Sequence, residues 1–164
     1  MAFGSRNGQL LAEEQVSFIG TLGTSDLNVT GSGVTYVLGS GNALTVTQIG
    51  SSFTTAGIFT APYDGFYTFS SNMQLQGIGA GNTNGQILFS GSAGIGNWLL
   101  ANFAAMRRGG ANDLHFPISE VRYLTAGQTR SVSTTVFGSG GSNPIDINAG
   151  SYFSGALVFR TSNP

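Results

Sequence analysis

The chain has a single histidine, His115, with Asp113 and Glu120 close by in sequence and many serines elsewhere. A serine nucleophile needs an imidazole to take its proton and a carboxylate to hold that imidazole, so these are the ingredients of a hydrolase. The serines, however, fall in turn-like stretches or on polar faces, and no triad is predicted; the chain reads as a non-enzyme. One histidine and no cysteine leave only carboxylates and carbonyls for a metal, so zinc is not expected. Asp64 and Asp146 are the candidates for a loop calcium ion, and the reading assigns neither a metal nor a cofactor. Glycine clusters such as GIGAGNTNG at 77–85 lack the G-x-G-x-x-G spacing, and a chain without lysine cannot build a P-loop. They read as turns. Arg107 and Arg108 beside Gly109 and Gly110 could grip a partner's carboxylate, but an exposed strand end is the preferred reading. Asn-Val-Thr at 28–30 fits a glycosylation acceptor and is taken as chance.

Composition narrows the partners. Only 8% of the 164 residues are charged, against about a quarter in ordinary soluble proteins. All six basic residues are arginines and the net charge is −1. No basic stripe exists to neutralise a run of phosphates, so nucleic acid is not an expected partner. The hydrophobic fraction, 40%, and the regular apolar alternation argue for a folded domain rather than disorder. No apolar run approaches membrane-spanning length, so no membrane partner is expected. The opening residues, MAFGSRNGQLLAEEQ, lack the apolar stretch of a signal peptide. The length predicts one domain, divided as an arm over 1–14 and a body over 15–164.

The elements that must position these residues are strands. Turn signals recur about every ten residues, at TGSG 30–33, GSGN 39–42, GAGNTNG 79–85, GSAGIGN 91–97 and GSGGSNP 138–144. Short β-rich runs lie between them, which predicts a β-sandwich or barrel. The densest stretch is FTAPYDGFYTF at 59–69, continuing as SSNMQLQG. There Tyr67, Phe69, Met73 and Leu75 share one face, opposite Thr68, Ser70, Asn72, Gln74 and Gln76. Period two over this length is a strand with one face in the core. Phe66 is the one large apolar residue on its polar face, and it is assigned to an interface. In ISEVRYL, Val121 and Tyr123 alternate against Glu120 and Arg122; in TRSVSTTVF, Val132, Thr134 and Val136 fall together. NWLLANFAAMRR has helical spacing at Leu99, Phe103 and Met106, yet its β surroundings favour a strand.

SYFSGALVF at 151–159 behaves differently, being apolar on both faces. Phe153, Leu157 and Phe159 are expected on one, Tyr152, Ala156 and Val158 on the other. A two-layer antiparallel sandwich buries only one face of each strand, so the second face needs cover. A chain this short has no further layer, and the cover is assigned to another subunit, with the N-terminal arm folding over it as the alternative.

Three stretches resemble the globular head domain of complement-type collagenous proteins. Phe59, Ala61, Pro62, Gly65, Tyr67 and Phe69 match the motif that opens that family's central strand. YLTAGQTRSV resembles its turn between two late strands, and YFSGALVF its closing strand. The resemblance spans about residues 50–160. It implies an all-β, ten-stranded jelly-roll β-sandwich of the complement/tumour-necrosis-factor superfamily, assembling as a homotrimer. Its central and last strands would lie in an inner sheet, with Tyr67 and Phe69 in the core. Phe66, Tyr152, Ala156 and Val158 would then face the trimer seam.

The sequence shows no collagenous stalk and few acidic residues for calcium at an axis. A glycine-rich trimeric head of this kind resembles structural proteins of bacterial viruses. The expected function is a non-enzymatic capsid decoration, or cement, protein on the virion surface, made in the host cytoplasm. Its partners would be two further copies of itself and the major capsid protein, the latter touched by arm residues Arg6, Leu10, Leu11, Glu13 and Glu14. The alternative is the receptor- or glycan-binding tip of a tail fibre or adhesin.

Overall fold

A computed structural model describes residues 15–106 and 113–161. Strands run through β1 (Ser17–Leu22), β2 (Asp26–Thr30), β3 (Thr35–Val37), β4 (Leu44–Ile49), β5 (Ser52–Phe53), β6 (Phe59–Thr60) and β7 (Gly65–Gln76). They continue through β8 (Asn84–Ser90), β9 (Trp98–Asn102), a helical turn α1 (Phe103–Met106), β10 (Leu114–Leu124), β11 (Thr129–Val136), β12 (Ile145–Ile147) and β13 (Tyr152–Arg160). The described residues thus hold thirteen strand segments where ten strands were expected; four segments are only two or three residues long. The stretch 98–106 splits between the two readings of its sequence. It is a strand to Asn102, and Phe103–Met106 then take the helical spacing.

The segments form two sheets. The front sheet has the order β2-β12-β7-β13-β1-β4, with β10 on the free edge of β7. The back sheet runs β5-β6-β11-β8-β9, with β3 also on β11. β7 is the spine: β10 pairs along one edge from Gly65 to Leu75, and β13 along the other from Gly65 to Asn72. All pairings are antiparallel.

Between the sheets lies an aromatic core. Phe18 stacks on Phe53 and Phe59, at 4.2 and 5.0 Å between centroids, and meets Phe153 edge-on at 5.1 Å. Phe69 and Phe89 complete the group against Phe153. Each such pair adds about 0.5–1.5 kcal/mol beyond its area burial. The rings need room, which explains a glycine inside the last strand. A Cβ on Gly155 would sit 2.7 Å from both Phe18 and Phe69. The aromatic-rich stretch 59–69 therefore serves this core: Phe59, Tyr67 and Phe69 are all buried.

Candidate functional site

Strand alternation sends every second residue of the front sheet outward. On β7 these are Phe66, Thr68, Ser70, Asn72 and Gln74; opposite them on β10 stand Tyr123, Val121, Ser119, Pro117 and His115. On β13, Ala156 lies opposite Thr68 and Tyr152 opposite Asn72. The face thus has two ends. At the Asn72 end it is polar, with the Asn72 Oδ1 buried and without a hydrogen-bond partner. At the Phe66 end it is apolar, with the Phe66 ring 4.8 Å from Phe159 and 5.4 Å from Tyr123.

Phe159 was expected beside Phe153 and Leu157 in the core. The register shifts between Leu157 and Phe159: Leu157 pairs Tyr67, but Phe159 pairs Phe66. One extra residue, Val158, makes a bulge, and a bulge turns the following side chain to the other face. Phe159 therefore stacks on Phe66 outside the core, 52% exposed. Val121, at 66% exposed, and Tyr123, Val158 and Ile19 are also uncovered on this sheet. The structure places Phe66, Tyr152, Ala156 and Val158 on the exposed side of the front sheet. Sequence reasoning missed Tyr123 and Phe159 as members. The signal for Tyr123 was its alternation with two charged residues, but nothing in the sequence announced the bulge.

Over residues 120–123 β10 inverts the usual polarity: Val121 and Tyr123 face out while Glu120 and Arg122 face in. Glu120 is buried and its Oε1 lies 2.6 Å from the Nε of Arg130, whose side chain is 0% exposed. The Asn97 backbone N–H donates to Glu120 Oε2 at 2.9 Å, while Arg130 donates to the Gly94 carbonyl and Arg122 to the Ala93 carbonyl. The pair latches the 91–97 loop across the sandwich. Gly96 is required there, because a Cβ would collide with both charged groups. Arg130 Nη2 remains buried without a partner. A second buried polar pair joins the Tyr36 hydroxyl, as donor, to the Asp26 carboxylate. Burial first, then that hydrogen bond, pushes the Tyr36 hydroxyl far above its ordinary pKa. Burial also raises Tyr67, whose hydroxyl donates to the Tyr63 carbonyl at 2.7 Å.

The hydrolase ingredients do not converge. His115 is exposed on the outer face of β10, and Glu120 points inward to Arg130. Asp64 accepts from the Ala126 N–H and Asp146 from the Asn28 N–H, each at 2.7 Å. Among the described residues no group of three metal-ligating side chains comes together, and no helix is long and apolar enough to cross a membrane. Arg6, Leu10, Leu11, Glu13, Glu14, Arg107 and Arg108 lie outside the described residues.

No family model matches the sequence, and no curated protein matches it either. Solved structures do. The globular domain of zebrafish complement 1qA superposes with a TM-score of 0.57 at 14% identity, covering 90% of this chain and 100% of that one. The Eiger TNF of S. frugiperda gives 0.56 at 7% identity over 92% of this chain and 96% of that one. Murine APRIL at pH 5.0 gives 0.57 at 8% identity, over 88% of this chain and 100% of its own. At such identities the likeness establishes architecture, and the chain is an all-β jelly-roll sandwich with the complement 1q and tumour-necrosis-factor type of fold.

Proposed function

We propose that this chain is a non-enzymatic virion structural protein that assembles as a homotrimer and decorates the capsid, binding and stabilising its surface. The observation that carries the reading is the uncovered apolar end of the front sheet, where Phe66 stacks on Phe159 and meets a tilted Tyr123 ring beside exposed Val121 and Val158. A contiguous patch of this kind is costly in water and marks a contact surface. A second and third copy are the chosen occupants, because the resemblance in the central and closing strands implies threefold packing at this face. Three protomers would dry one another's rings and leave the Ser, Thr and Asn faces outward.

Stabilising a capsid then follows from multivalency. Three identical attachment points engage neighbouring capsid subunits together, so modest contacts sum to tight clamping. A surface with so few charges relies on shape and hydrogen bonds, which salt screens far less than ion pairs. The described chain starts where Val16 accepts from the Leu157 N–H, beside the apolar end of the face. The arm, with Arg6, Leu10, Leu11, Glu13 and Glu14, is rooted there and is the segment assigned to the major capsid protein. Deleting residues 2–12 is expected to leave trimers intact and to abolish co-sedimentation with capsids. Unchanged occupancy on particles would refute the arm's role. A recognition tip of a fibre or adhesin is the second reading, favoured by the exposed Trp98 edge of the back sheet. Copy number separates the two: hundreds per particle mean decoration, a handful mean a tip.

A further inference from the structure

The back sheet carries a second surface feature, at the β8–β9 edge. Three cross-strand pairs face outward there: Leu88 with Trp98, Gln86 with Leu100, and Asn84 with Asn102. Their neighbours Gly85, Ile87 and Phe89 are buried, so the alternation leaves no doubt about the face. Trp98 is 60% exposed and Leu100 is similarly bare. Among the described residues β9 pairs only with β8, so the row lies on an edge of the described sheet. At its Asn84–Asn102 end the row runs into a pocket of about 520 Å³, walled by Asn82, Thr83, Asn84, Leu100 and Asn102.

The pocket wall is preformed. Asn82 accepts from the Gly79 N–H at 2.7 Å and donates to the Ser139 Oγ at 2.6 Å, and the Phe103 N–H donates to the Thr83 carbonyl at 3.1 Å. Asn82 is thereby a buried brace, while Thr83, Asn84 and Asn102 are exposed. Its volume lies in the range of small-ligand sites, roughly 300–1,000 Å³.

The chemistry selects a ligand class. Among the described residues none that lines the pocket carries a charge, so none of them offers the cation that a phosphate or carboxylate requires. The exposed Asn84 carboxamide and Thr83 hydroxyl offer donors and acceptors together, which is what a ring of hydroxyl groups needs. An open indole and a leucine next to them supply a flat apolar surface for the C–H face of such a ring. From Trp98 to Asn102 the row extends about 13 Å, room for more than one ring. We propose that this edge binds a neutral oligosaccharide, one sugar unit in the asparagine-lined pocket and the next stacked on Trp98. The site lies on the sheet opposite the assembly face, so it stands or falls separately from the capsid reading.

Trp98 is the chain's only tryptophan, so its fluorescence reports this site and nothing else. The full chain would be titrated with neutral oligosaccharides of glucose, galactose, N-acetylglucosamine and rhamnose, with sulfated versions as charged controls and acrylamide as quencher. At least one neutral sugar is expected to protect Trp98 saturably and shift its emission to the blue. Asn84→Ala should raise the half-saturation about tenfold, the effect of one lost hydrogen-bonding group, without moving the unfolding midpoint. Calorimetry on Trp98→Ala should show binding lost. Absence of protection by every neutral sugar at tens of millimolar overturns the proposal. So does a preference for the sulfated ligands, or an Asn84→Ala variant that binds as the parent does.

Discussion

Replacing Phe159 by serine tests whether the front-sheet face is an assembly surface. The ring is 52% exposed in the protomer and stacks 4.8 Å from Phe66. Half of the roughly 200 Å² that a buried aromatic removes from water is about 100 Å², worth about 2.5 kcal/mol at ~25 cal/mol per Å². Three symmetric copies give about 7.5 kcal/mol per trimer, or about 5.5 decades in the dissociation constant. A trimer's midpoint concentration varies as the square root of that constant, so Phe159→Ser should move it upward by about five hundredfold. Sedimentation velocity from nanomolar to micromolar protein reads this directly. Ile95→Ser is the control: Ile95 is 68% exposed but sits on the β8–β9 loop, and its loss should leave the midpoint in place. The fold of the variant protomer should survive, because most of what is removed is already in water. If the parent chain sediments as a monomer at micromolar concentration, or Phe159→Ser assembles as the parent does, the reasoning is wrong.

Glu120→Ala leaves the Arg130 guanidinium buried without its counterion and should cost about 3–5 kcal/mol in urea unfolding. Pairing Glu120→Leu with Arg130→Met should recover most of that loss, since an apolar pair removes both buried charges; a single variant within about 1 kcal/mol of the parent would contradict the burial of the pair. Tyr36 and Tyr67 both have raised pKa values in the folded chain. Above the ordinary tyrosine pKa of about 10, the unfolded chain loses these protons while the folded one keeps them. Stability should therefore be full below about pH 10 and fall as pH rises further, by up to about 1.4 kcal/mol per pH unit for each tyrosine. Tyr36→Phe should flatten that alkaline slope in denaturation curves taken from pH 8 to 11, though it also removes one of Asp26's hydrogen-bond donors, leaving the Asn42 N–H, and lowers stability at neutral pH.

Much of the architecture was legible without coordinates, for reasons local to the chain. Period-two alternation in residues 66–76 put Tyr67, Phe69, Met73 and Leu75 inward, where all four are buried. The turn clusters were readable because glycine alone accepts positive φ freely, and Gly33, Gly39 and Gly138 all adopt it. Val132, Thr134 and Val136 do share a buried face. These signals depend on neighbours one to four residues apart, so the sequence contains them whole. The likeness of 59–69 and 151–159 to the complement head domain pointed to the jelly roll that the solved structures share.

Other features existed only once distant strands met. The bulge at Val158 moved Phe159 out of the core, because the pairing of β13 with β7 sets which side chain faces which sheet. Glu120 and Arg130 are ten residues apart, on β10 and β11, and nothing near either predicts a buried charge. Their union required the two strands to lie in opposite sheets with the 91–97 loop closing over them. The row from Trp98 to Asn102 read as an ambiguous apolar stretch until its pairing with β8 showed which residues face water. Alternation along a strand is written in the chain, whereas the sheet a strand joins, its register and what lies across from it are settled by contacts between residues far apart in sequence.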